Sequence, residues 1–337
     1  IPTSLFLNGP NVEIVSDSLT GNQIGSVTNN YPIFSVGTGV TFLGDGWGTV
    51  APYFFASTYD TTNDKIVIAY QDNDDSNKGK AIVGTVTGTG ITFGTPVTFG
   101  GSTEYTKIVY DSANEKVVIA YIDNDNSFYG TAVVGTVSGD TIGFGTEVVF
   151  NSATTDDPTI TYDSINEKVV IAYKDDSNSY YGTAIVGTVN GTDISFGDPA
   201  VFNSASTSIP AATFDPDNGK VVIVYTDGTY EDVTRSTDYG TAIVGTVNGT
   251  DISFGDPAVF NSASTSIPAA TFDPDNGKVV IVYTDGTYED VTRSTDYGTA
   301  IVGTVNGTDI SFGDPVVFEF AGSYHTSVAY VGSSKVV

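Results

Sequence analysis

The side chains best equipped for chemistry are carboxylates and amides gathered into short runs. Asp72-Asn73-Asp74-Asp75-Ser76-Asn77, Asp123-Asn124-Asp125-Asn126-Ser127 and Asp175-Asp176-Ser177-Asn178-Ser179 crowd oxygen donors into five or six residues. Alternating Asp and Asn supply hard oxygen ligands at the spacing that Ca2+ loops use, so Asp72, Asp74, Asp123, Asp125 and Asp175 are the candidate metal ligands. The same residue types also form ordinary turns by bonding their own backbone, and this is the competing reading. The bidentate acidic residue that a calcium loop expects near its end is missing.

A second set is aromatic. Tyr129, Tyr181, Tyr239 and Tyr297 each precede a Gly, and two longer acidic runs, Asp227–Asp238 and Asp285–Asp296, hold Tyr230, Asp232, Tyr288 and Asp290. A flat ring beside carboxylates and amides is a surface on which a sugar stacks and hydrogen-bonds. The ligand-binding candidates are therefore Tyr230, Asp232, Tyr288, Asp290, Tyr181 and Tyr129. For the tyrosines before Gly, packing between repeated units is the competing reading. Tyr230 and Tyr288 have polar immediate neighbours and stand equally for exposure and contact.

Catalysis finds less support in the sequence. The single His325 lies in Tyr324-His325-Thr326, and no Ser/His/Asp arrangement assembles around it. Carboxylate pairs adequate for glycoside hydrolysis are plentiful. The acidic loops are near copies of one another, however, whereas an active site breaks the symmetry of a repeat fold, so the sequence reads as non-enzymatic. Trp47, in Gly44-Asp45-Gly46-Trp47-Gly48, reads as a packing residue. Asn190-Gly191-Thr192 and its copies at Asn248 and Asn306 match an N-glycosylation acceptor, although a hairpin turn explains the same residues.

The elements that position these loops come from a repeat. Lys followed by an apolar run ending in Tyr recurs as Lys65–Tyr70, Lys116–Tyr121, Lys168–Tyr173, Lys220–Tyr225 and Lys278–Tyr283, at Lys spacings of 51, 52, 52 and 58, with a further Lys335 after 57. A period near fifty residues signals a propeller, solenoid or array. Each unit reads as four short strands; in the third they are Thr159–Tyr162, Lys168–Lys174, Gly182–Val189 and Ile194–Phe202. The third and fourth are joined by Asn190-Gly191, expected as a type I′ turn. With no helical periodicity, the fold class is all-β, and four antiparallel strands per unit match a propeller blade.

Gly37-Thr38-Gly39-Val40-Thr41-Phe42 repeats Gly88-Thr89-Gly90-Ile91-Thr92-Phe93, so the N-terminal region supplies strands three and four of a unit. Thr326–Tyr330 and Lys335–Val337 supply its first two. The expectation is a six-bladed β-propeller over 31–337 whose closing blade is shared between the termini, with 1–30 as an extension or linker. Closure removes free sheet edges; the alternative pairs the half-units with other copies of the chain as a fibre. Residues 182–257 recur unchanged as 240–315, which marks a recent duplication.

Composition bounds the partners. The net charge of −28 repels nucleic-acid backbones and anionic membranes. There is no Cys, hence no disulfide or thiolate site, and no apolar run long enough to span a membrane. The chain begins Ile1-Pro2-Thr3 and contains no Met, which reads as a processed product or a piece of a longer polypeptide.

The first two acidic loops resemble, in part, the Asp-x-Asp-x-Asp calcium loops of integrin-type propeller repeats. The consensus Lys-Val-Val-Ile-Ala-Tyr-x-Asp, then Tyr-Gly-Thr-Ala-Ile-Val-Gly-Thr-Val and Ile-Ser-Phe-Gly-Asp-Pro-Ala-Val-Phe, resembles repeats of marine phage tail-fibre and adhesin-like surface proteins. That resemblance covers about 31–337. It implies a virion or extracellular surface, with a glycan or host receptor, other copies, or virion and fibre proteins as partners; it assigns no site residues.

Overall fold

The apolar runs after Lys65, Lys116, Lys168, Lys220 and Lys278 are the second strands of five successive four-stranded antiparallel units. The computed structural model describes residues 53–228, 238–286, 296–322, 326–332 and 335–336. In the third unit, Lys168–Asp175 pairs on one side with the end of Val148–Asp163, where Ile171 faces Ile160, and on the other with Tyr181–Asn190, where Ile171 faces Ile185. Val169, Val170, Ile171 and Ala172 are all buried. β-Branched side chains on both faces suit a strand enclosed between neighbouring sheets.

The fourth strand differs from its expected form. It runs as Asp193–Phe196, breaks at Gly197-Asp198-Pro199, and resumes in Ala200–Asp215; Val189 pairs with Ile194 and Ala184 with Ala200. Pro199 lacks an N–H for the ladder, which accounts for a break there. The second piece does not stop. It crosses into the next unit and becomes its first strand, with Phe214 opposite Val221. The hydroxyl-rich stretch Asn203–Ser208, beyond the end expected for that strand, is thus part of one continuous bent strand.

The hairpin turn also departs from expectation. Asn190 pairs with Asp193, so the central residues are Gly191 and Thr192, and only Gly191 has positive φ (+66°). Positive φ at the first central residue alone is the mark of a type II′ turn, which needs Gly there.

Among the described residues four apolar cores lie between units rather than within them. At each seam a Phe from one unit's outer strand meets the buried Tyr of the next. Phe150 and Tyr173 lie 5.3 Å apart, and Phe202 and Tyr225 lie 5.1 Å apart. The Gly of the Tyr-Gly-Thr motif makes room for that Phe: a Cβ on Gly182 would fall 2.4 Å from the Phe202 ring.

The two end units expose what inner units bury. Val302 and Phe318 are 44% and 56% exposed in the fifth unit, against 0% and 8% for the equivalent Val244 and Phe260. In the first unit Val86 is 53% exposed, against 7% for Val137. After the fifth unit, Tyr330–Gly332 pairs with Lys335–Val336 as a separate hairpin, later and shorter than the expected strand Thr326–Tyr330. Among the described residues no strand pairing joins the fifth unit to the first. The expected N-terminal half-unit, the boundary at residue 30, Trp47 and His325 lie outside the described residues.

Candidate functional site

One end of the units carries both the loops joining second to third strands and the crossings between units. They are tied together by backbone: the N–H groups of Thr103, Thr155 and Thr207 donate to the carbonyls of Asn77, Phe128 and Tyr180 at 3.0, 3.0 and 2.9 Å.

The acidic loops are short 3-10 turns, Asn73–Asp75, Asn124–Asn126 and Asp176–Asn178, each preceded by its capping Asp. Asp123 Oδ1 accepts from the N–H groups of Asp125 and Asn126 at 3.1 and 3.2 Å. Asp72 and Asp175 accept from Asp74 and Ser177 at 3.1 and 3.2 Å. Asp72 also receives Lys80 at 2.7 Å, Asp125 Oδ2 accepts from the Ser102 N–H at 2.9 Å, and Asp74 is exposed. Among the described residues no three carboxylates or imidazoles converge to hold a metal ion. Turn capping accounts for the spacing that the calcium reading also explains.

Tyr129 and Tyr181 are half-buried opposite the capping Asp123 and Asp175. Tyr230, Asp232, Tyr288 and Asp290 lie outside the described residues. The aromatics that face solvent are instead one position earlier. Phe128 and Tyr180 are 47% and 51% exposed and have φ of +62° and +63°, following Ser127 and Ser179 at +57°. Two successive left-handed residues turn the chain sharply and point the second side chain away from the strand pair. Period-two alternation carries no trace of such a turn; the local signal was the Ser-aromatic-Tyr-Gly sequence.

A second feature was also unseen in the sequence. Where each first strand begins, the register slips by one bulge, and the leading bulge residue has positive φ: Phe54 (56°), Tyr105 (49°), Asp157 (47°), Ile209 (47°) and Ile267 (48°). For β-branched isoleucine this is a costly conformation, held by the surrounding structure. The strain is common to the five described units while the side chain varies among Phe, Tyr, Asp and Ile, so the bulge aims four different groups across five units. The Phe54 and Tyr105 rings lie 4.7 Å apart, and Asp157 Oδ2 accepts from the Ile209 N–H at 3.2 Å.

Between the second and third units these elements form an open pocket of about 280 Å³, lined by Glu104, Tyr105, Ile122, Phe128, Thr154, Thr155, Asp156 and Asp176. Lys174 ties two of these carboxylates, bonded to Asp156 at 2.8 Å, 3.6 Å from Asp176 and over the Tyr180 ring at 5.5 Å. Glu104 is held by the Asn124 amide at 3.0 Å. Here the repeat symmetry breaks: Asp156-Asp157-Pro158 becomes Ser208-Ile209-Pro210 and Ser266-Ile267-Pro268 in the next two units.

The charges shape one another. Burial and then Asp156 push Asp157 up, and burial pushes Asp176 up despite Lys174. Burial and the charges of Asp156, Asp157 and Glu104 raise Tyr105. Burial pulls Lys174 down, but the hydrogen bond and charge of Asp156 outweigh it, and its pKa ends raised. Lys107 reaches solvent from a crowded recess; burial lowers it against the pull of Asp157.

A carboxyl raised in the folded state holds its proton longer than in the unfolded chain, so stability falls as pH rises through and above the ordinary carboxylate range. Acidifying from about pH 7 to about pH 5 is therefore expected to raise the melting temperature, with relief of the −28 self-repulsion adding to it. Asp157→Asn should melt higher at neutral pH and gain less on acidification, as differential scanning calorimetry would show. Asp75, held near 2 by Lys78 and Lys80, stays ionised throughout this range.

No protein-family model and no curated protein matches the chain. Solved structures do match. A lectin from Burkholderia pseudomallei superposes with a TM-score of 0.58 at 10% identity, over 82% of this chain and 74% of the lectin. A leech intramolecular trans-sialidase superposes with a TM-score of 0.51 at 10% identity, over 90% of this chain and 67% of the enzyme. A lectin and a trans-sialidase share this fold. At such identity the likeness is one of fold alone: an all-β, propeller-like arrangement of antiparallel strands. It still corrects the expectation of a non-enzymatic chain. An enzyme stands on the same fold, and the symmetry on which that expectation leaned is broken at the pocket.

Proposed function

We propose that the chain recognises carbohydrate through the pocket between its second and third units, as a surface-recognition module of a virion or cell exterior. The observation that carries this reading is the union, at one asymmetric spot, of an exposed ring (Phe128), a second aromatic (Tyr105) and hydrogen-bonding carboxylates (Glu104, Asp156, Asp176). Rings give a sugar its stacking face, and carboxylates bind its hydroxyls. The lectin's fold supports the reading.

We also propose six blades, the sixth shared between the two ends of the chain. Support comes from Val302, Phe318 and Val86, which lose the burial that their equivalents enjoy. If these faces instead pair between copies, the chain builds a fibre. A monomer of 35.2 kDa in sedimentation would support closure, and concentration-dependent growth would oppose it.

Glycan-array binding by the wild-type chain is expected, with Phe128→Ala weakening it about tenfold through the lost stacking contact. Tyr230→Ala plus Tyr288→Ala reads the share of the enlarged loops. Calcium dependence is part of the same proposal: binding lost in EDTA and restored by Ca2+ would assign Asp72, Asp74, Asp123, Asp125 and Asp175 to the cation. Absence of binding to any surface polymer, with Ca2+ present, would overturn the reading. A second reading, glycan cleavage, is favoured by the raised carboxyls of Asp157 and Asp176 with further carboxyls, Asp156 and Glu104, near them; released sugar in the same incubations would establish it.

A further inference from the structure

The pocket also specifies the charge of its sugar. Resting on the glycan reading above, we infer that it takes a glycan bearing free amines, an amino-sugar oligomer, in preference to neutral or acidic ones. Glu104, Asp156 and Asp176 line it, and the one cation bonded among them is Lys174, leaving a net −2 from −3 + 1. Lys174 is committed to Asp156 and Asp176, at 2.8 and 3.6 Å, so it offers little to an anionic ligand. Glu104 Oε1 accepts from the Asn124 amide at 3.0 Å, and Asp157, beside Asp156 in the chain, accepts from the Ile209 N–H at 3.2 Å. An ammonium entering the pocket meets carboxylate oxygens with remaining acceptor capacity and the faces of Tyr105 and Phe128, which attract a cation. A carboxylated sugar meets like charge from the same groups.

The fourth and fifth units keep the fold of this corner but carry Ser-Ile-Pro in place of Asp-Asp-Pro. The chemistry therefore belongs to one seam and not to the repeat.

A net charge of −28 draws any polycation weakly, so the test must separate this pocket from the general field. Titration calorimetry of the whole chain, at physiological ionic strength and at a pH where the sugar amine is charged, would compare three probes. These are a short glucosamine oligomer, its N-acetylated counterpart and an oligogalacturonate of equal length. The glucosamine oligomer is expected to bind at least about tenfold more tightly than its acetylated counterpart, and the uronate to bind least. Glu104→Gln plus Asp176→Asn should abolish that preference. Asp251→Asn plus Asp309→Asn, an equal change of charge on turns at the opposite end of the units, should leave it intact. If the double pocket variant fails to fold, Glu104→Gln alone should reduce the preference. Equal binding of the acetylated oligomer overturns the inference and leaves the glycan reading standing. A preference that falls equally in both double variants also overturns it, as a field effect. If none of the three binds, the inference falls, and the glycan array decides the glycan reading separately.

Discussion

Gly197→Ala is expected to be among the most damaging single-methyl changes available in this chain. The new Cβ would lie 2.0 Å from the Thr250 carbonyl oxygen and 2.9 Å from its carbonyl carbon. Neither side can move aside. Gly197 is held by its N–H bond to the Val186 carbonyl at 3.0 Å, and Thr250 sits in a hairpin turn closed by the Asn248–Asp251 pair. The seam would have to open, at a cost of about 3 kcal/mol or more. The same approach recurs at Gly94 against Asp140 (1.8 Å), Gly145 against Thr192 (1.9 Å) and Gly255 against Thr308 (2.1 Å). Urea unfolding would measure it, with Gly143→Ala as a control, since nothing lies within 4 Å of a Cβ there. Equal midpoints for the two variants would show that the units do not dock through this contact. Gly313, at the same position in the fifth unit, has only the Val302 carbonyl oxygen near it, at 3.9 Å. A large loss on Gly313→Ala would therefore report a sixth unit docked on the fifth in solution.

Asp163→Ala should be comparably severe for a different reason. Asp163 is 0% exposed, and its carboxylate is an acceptor hub for the turn between the first and second strands. Oδ1 accepts from the Ile165 and Asn166 N–H groups at 3.0 and 2.9 Å, and Oδ2 from the Asn166 side-chain amide at 2.7 Å. Alanine leaves three donors without their acceptor, a loss of about 3 kcal/mol. Asp163→Asn keeps one carbonyl oxygen and should recover part of it. Thermal melts of the two variants would separate them; a wild-type melting temperature for Asp163→Ala would mean that water replaces the carboxylate freely. Asp60, Asp111 and Asp215 cap their turns through the same set of bonds.

These two residues show where sequence reading stops. Asp163 reads as a turn former because Asp-Ser-Ile-Asn-Glu sits between apolar runs; its complete burial does not show along the chain, because turn formers of this kind stand equally on exposed surfaces. Gly197 and Pro199 fall inside the strand expected over Ile194–Phe202, and the break there is a finding of the structure; the reason for glycine lies in a turn that begins about fifty residues later in the chain. The acidic loops read both as oxygen ligands for a cation and as turn formers; in the structure Asp123 and its equivalents direct an oxygen to backbone N–H groups of their own turns, the bonds that the turn reading expects. Tyr129 and Tyr181 were singled out by their place before Gly, and the solvent-facing rings proved to be Phe128 and Tyr180, turned outward by paired left-handed residues.

The sequence by itself determined the unit, its four-strand content, the antiparallel hairpins and the buried second strand, because periodicity and turn chemistry are local and act within ten residues of their cause. It also determined the acidic field and the exclusion of thiol chemistry. Only the tertiary structure decided that the fourth strand bends into the next unit and that each crossing carries a strained bulge. It alone decided that Glu104, Phe128, Asp156 and Asp176 meet at one seam. Those residues come from two adjacent units and four separate segments, and what unites them is the packing of one unit against the next. No pattern along the chain records that contact.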